Sequence, residues 1–69
     1  MDVLDESARI REMLRKARTE EEIKLVADEV RPTVQAMAVH SEEGKIQARI
    51  IRNLRDYRIQ MIKGRAGDH

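Results

Sequence analysis

Residues 45–63, KIQARIIRNLRDYRIQMIK, carry the clearest helical pattern in the chain. Ile46, Ile50, Leu54, Tyr57 and Met61 recur at steps of four, four, three and four. That spacing puts them on one stripe of a helix with about 3.6 residues per turn. Ile51 and Ile62 widen the stripe on one side, which predicts a broad apolar face able to pack on more than one neighbour. Lys45, Arg49, Arg52 and Lys63 fall roughly opposite, with Asp56 among them, and Arg55 and Arg58 line the shoulders. Ser41 is placed to cap the start of this helix, and Glu42 and Glu43 suit its positive end. Gly64 is expected at the position where it stops. The third helix is therefore set at about residues 42–63.

Working back from it, residues 19–22 read Thr-Glu-Glu-Glu. Thr with Glu three positions later is a capping box, and the apolar period that opens at Ile23 follows it directly. Ile23, Val26, Ala27, Val30, Val34, Met37 and Ala38 keep one face through this second helix, at about residues 20–40. Pro32 stands inside it, removing a backbone donor and crowding the carbonyl of Asp28. The apolar phase passes Pro32 without a shift and Arg31 is a poor cap, so one kinked helix is expected rather than two short ones. Before it, residues 3–18 predict a first helix with Asp2 at its cap. Its apolar side is Val3, Ile10, Met13, Leu14 and Ala17. Residues 65–69 show no pattern and are expected to be a disordered tail.

Composition narrows the possibilities. Sixty-nine residues make a single domain, here residues 1–64. A chain this short seldom builds a core worth more than about 3–5 kcal/mol without a staple. There is no cysteine, which removes disulfides and cysteine-based zinc sites. Self-association is the remaining common solution, and a homodimer is expected. Charged residues make up 39% of the chain but nearly cancel, at a net +1. Tyr57 is the one aromatic residue, so no aromatic platform exists for stacking bases. No apolar run is long enough to span a membrane. The opening MDVLDE lacks the basic and apolar regions of a signal peptide, and a cytoplasmic location is expected.

Charge is sorted along the chain. Residues 19–31 hold five acidic side chains against two basic, and residues 45–65 hold seven basic against one acidic. This favours antiparallel pairing of the second and third helices, with ion pairs setting orientation more than stability.

Candidate chemistry is sparse. His40, Ser41 and Glu42 are the residue types of a hydrolytic triad, but adjacent residues on a helix do not face one another. His40 with Glu43 or His69 gives no metal-ligand spacing. The glycines form no phosphate-binding pattern, and no cofactor, metal or catalytic residue is assigned. Met13, Met37 and Met61 lie on the apolar faces, where core packing explains them, although methionine also suits adaptable partner surfaces.

These features predict an all-α chain: a short N-terminal helix plus an antiparallel helical hairpin that dimerises into a helical bundle. The expected function is that of a small non-enzymatic regulatory or adaptor protein. It would bind another protein through a helical surface of Ile46, Ile50, Ile51, Leu54, Tyr57, Met61 and Ile62. A lone aromatic at the centre of the best helix makes Tyr57 the natural anchor. The alternative is a dimeric nucleic-acid binder using Lys45, Arg49, Arg52 and Lys63. A structural subunit of a helical assembly is a further possibility.

Overall fold

The computed structural model describes residues 1–67, and the side chains of residues 1–64. It is all-helical: α1 (Val3–Lys16), α2 (Glu20–His40) and α3 (Glu42–Gly67). The links are short because each helix start carries its own cap. The Asp2 carboxylate accepts from the Asp5 N–H at 3.2 Å. The Thr19 hydroxyl accepts from the Glu22 N–H at 3.0 Å. Glu22 reaches back as a capping box requires, but its carboxylate takes the Arg18 N–H, at 2.8 Å, one residue earlier than the usual partner. Ser41 alone, in extended conformation, separates α2 from α3. Its hydroxyl accepts from the Gly44 N–H at 3.0 Å.

α2 runs unbroken through Pro32, as one helix. The proline lies on the exposed side, where the carbonyl deprived of its donor can turn to water. α3 differs from expectation. Gly64 does not end it; the helix continues to Gly67. No glycine among the described residues has a positive φ, so Gly64 is not the left-handed cap that its position suggested. Three residues of the expected tail, 65–67, are thus helical backbone, and Asp68 and His69 lie outside the described residues.

α2 and α3 form an antiparallel hairpin, and α1 packs more extensively on α3 than on α2. α1 runs parallel to α3: Ser7 meets Gln47 near one end, and Ala17 meets Arg58 near the other. The core holds Val3, Ile10 and Leu14 from α1 and Ala17 at its C-cap, Ile23, Val30 and Met37 from α2, and Ala48 and Ile51 from α3. Ile10, Leu14, Ile23 and Met37 are almost wholly enclosed. Each such side chain contributes on the order of 1.5–3 kcal/mol by leaving water.

The inner face of α3 is rotated from the stripe its sequence advertises. Gly44, Gln47, Ala48 and Ile51 are buried there, with Leu54, Ile59 and Ile62 half-buried. Gly44 explains the rotation. A Cβ at that position would stand 1.7 Å from the carbonyl oxygen of Met37, so the backbone of α2 comes too close for any side chain. The helices cross with a glycine and an alanine between them, and the larger isoleucines at Ile46 and Ile50 are turned outward.

One buried polar pair fixes α1. The Ser7 hydroxyl donates to the Gln47 side-chain carbonyl at 2.6 Å, and Gln47 donates in turn to Glu43 at 3.0 Å. Ser7 is completely enclosed and Gln47 nearly so.

Three substitutions have expected outcomes in thermal or urea melts. Gly44→Ala should destabilise by about 3 kcal/mol or more, because backbone must move to admit the methyl. Gly64→Ala, with nothing within 4 Å of the added Cβ, should stabilise by roughly 0.5–1 kcal/mol. Ser7→Ala should cost about 1–3 kcal/mol by stranding the Gln47 carbonyl, and Ser7→Ala with Gln47→Leu should recover most of it.

Candidate interaction surface

The residues expected to form an interface separate into three groups. Ile51 is buried in the intramolecular core, at 4% exposure, and so is withdrawn from any outer surface. Leu54 and Ile62 are half-buried against the core. Ile46, Ile50, Tyr57 and Met61 remain outside it, at 51%, 39%, 60% and 40% exposure. At 100° per residue these four occupy a band less than a quarter-turn wide, with Leu54 on its edge. That is a continuous apolar stripe on a helix already packed on another side. Exposed large apolar groups scattered singly need no explanation, whereas a contiguous row on one helix does.

The four arginines spaced by threes have four different settings. Arg58 is half-buried and reaches across to α1, donating to the carbonyls of Ala17 at 2.7 Å and Arg15 at 3.4 Å. It therefore satisfies carbonyls at the negative end of α1. Arg55 pairs with Asp56 at 2.9 Å. The Nε of Arg52 donates to the Ala48 carbonyl at 3.4 Å. Arg49 is exposed, and no carboxylate pairs with it among the described residues.

The basic set Lys45, Arg49, Arg52 and Lys63 is partly neutralised. Lys63 reaches Glu20 of α2 at 3.1 Å, the one ion pair between helices among the described residues. Lys45 lies 3.7 Å from Glu42 on its own helix. The remaining ion pairs also fall within single helices, so sorted charge along the chain yields little cross-bracing. Among the described residues two groups have shifted ionisation, and neither belongs to the stripe. The Asp5 carboxyl is pushed up by the negative Asp2 beside it, and the Arg9 guanidinium is pushed up by its hydrogen bond to Glu6.

His40 is exposed at the end of α2, and no group of three or more potential metal ligands occurs among the described residues. None of the described helices is long and apolar enough to cross a membrane. No protein-family model, curated protein or solved structure matches the chain significantly.

Sequence periodicity identified the stripe but not its role. Five apolar residues in register look the same whether they face inward or outward. The signal that distinguishes them is Gly44 followed by Ala48 four residues later, the small-residue pair that admits α2.

The arginine assignments have a direct check in chemical denaturation. Arg58→Ala should cost about 1.5–3 kcal/mol through loss of charged hydrogen bonds to α1. Arg49→Ala should stay within about 0.5 kcal/mol of the parent.

Proposed function

We propose that this chain is a small non-enzymatic interaction protein, regulatory or adaptor in role, that works as a homodimer joined through α3. The open stripe of Ile46, Ile50, Tyr57 and Met61 is the observation that carries this reading. Its spacing is symmetric about the midpoint between Asn53 and Leu54. Ile50 and Tyr57 stand equally far from that midpoint, as do Ile46 and Met61.

A two-fold axis requires this kind of self-complementarity, since the same patch must serve on both subunits. Two copies of α3 laid antiparallel bring Ile50 of each against Tyr57 of the other, and Ile46 against Met61. On the flank of the stripe, Arg49 of one copy comes alongside Asp56 of the other, so charge supports the same register. Tyr57 then sits inside the contact as an aromatic anchor. A short chain without disulfides also gains from a second copy, since association adds to the apolar surface withdrawn from water.

The basic-face alternative finds less support. Lys45 and Lys63 already have carboxylate neighbours, and Arg52 lies beside the apolar surface of the hairpin.

Analytical ultracentrifugation of the full chain tests the reading. The parent should sediment at twice its 8.0 kDa chain mass. Ile50→Glu should weaken the dimer by about a hundredfold or more while leaving helix content unchanged, because it buries an unpaired charge in the contact. Tyr57→Ala should weaken it less, and Arg49→Ala with Arg52→Ala least. A parent that stays monomeric across the concentration range would overturn the proposal.

A further inference from the structure

The hairpin has a second open side. By helical phase, Ala48, Arg52 and Arg55 lie roughly a quarter-turn round α3 from Gln47 and Arg58, the residues that meet α1. A cavity of about 250 Å³ lies between α2 and α3 there. Its buried lining is Leu14, Val30, Ala48 and Ile51, with Ala27, Val34 and Ala38 half-buried beside them. Arg31, Arg52 and Arg55 stand around them, and no carboxylate lines the cavity. The lining residues follow bundle spacing on both sides. On α2 they are 27, 30, 31, 34, 35 and 38, and on α3 they are 48, 51, 52 and 55. Each helix thus presents apolar and arginine side chains to the same slot.

We propose that this groove is the docking site for one amphipathic helix of another protein, with large aliphatic residues on its buried stripe and glutamate or aspartate along both flanks. The inference deepens the adaptor reading above and rests on it. The alanines at 27, 38 and 48 let a helix backbone come close, and the apolar base receives its aliphatic side chains. Arginines around the slot would meet carboxylates on both flanks of the incoming helix, and guanidinium groups suit that contact through paired hydrogen bonds. Arg31 and Arg55 already hold Asp28 and Asp56 at 2.7 and 2.9 Å, but those carboxylates are exposed and can be displaced by better-placed ones. Charge also distinguishes this groove from the dimer stripe. The third helix of a second copy carries five arginine and lysine side chains between residues 49 and 63 against one acidic residue, and the cationic slot repels it. With no aromatic residue in its lining, the slot offers nucleic-acid bases no stacking surface.

The test uses the full chain, isotope-labelled, and two synthetic helical peptides that share a leucine stripe. One is flanked by glutamate and the other by lysine. The glutamate peptide should bind, weaken as salt is raised, and shift the amide resonances of Ala27, Val34, Ala38 and Ala48. The exposed pair Arg31→Glu with Arg52→Glu should reduce its affinity at least about tenfold, with an unchanged melting temperature showing that the fold survives. The stripe variant Ile50→Glu should still bind it. Equal binding of both peptides, or shifts confined to Ile46, Ile50 and Tyr57, would overturn the groove assignment while leaving the dimer reading standing. A mixed-sequence DNA duplex that binds and is lost in the double arginine variant, with neither peptide binding, would overturn it in favour of a nucleic-acid surface. Loss of the dimer with peptide binding retained would instead sink the dimer alone.

Discussion

The closest constraint in this fold is between two backbones. Gly44 in the first turn of α3 lies against the carbonyl of Met37 in the last turn of α2, and no side chain fits between them. Ser41 turns the chain in one residue, so the two helices diverge from that point only as fast as their first side chains force them. A glycine and then Ala48 keep them together over the next turns. The rotation of α3 about its axis follows from this approach: whichever face holds the small residues must face α2. Everything outward of α3, including the stripe of Ile46, Ile50, Tyr57 and Met61, is positioned as a result.

α1 is held by a different kind of interaction. Its apolar side chains fill the core, but its register along α3 is fixed by polar contacts at two heights. Ser7 with Gln47 locks one end, and Arg58 closes the carbonyls at the other. An enclosed hydroxyl and amide cost free energy unless they meet, so a slip of α1 by one turn loses both partners. Apolar packing alone tolerates such slips far better. Both polar contacts span about forty positions of sequence, whereas the hairpin is built from neighbours. The hairpin can therefore form before α1 is placed.

Much of this was legible in the sequence. Caps at Asp2, Thr19 and Ser41 set three helix starts correctly because each depends on a local hydrogen bond. The continuous phase through Pro32 implied a single helix, and α2 is one. Misreadings occurred where local rules meet tertiary packing. Gly44 and Gly64 look alike as punctuation around α3. One is a site of helix contact, and the other lies within a helix that runs on past it. Gln47 and Arg58 resemble ordinary surface residues until α1 is seen beside them. Ile51 sits next to Ile50 in sequence, yet 100° of rotation separates a core residue from an exposed one. The slot between α2 and α3 was not legible, because alanine on a helix signals propensity before it signals a groove.

Leu14 belongs to two places at once. It is nearly enclosed in the core, where it anchors α1, and it also forms part of the base of the cavity between α2 and α3. Undocking of α1 would remove a wall of that cavity. By thermodynamic reciprocity, any molecule that rests on Leu14 with α1 in place shifts the local opening of α1 by the same free energy that α1 lends to binding. The first helix then acts as a lever on the affinity of a surface it touches through one side chain, and the strength of the Arg58 and Gln47 contacts sets its mechanical advantage.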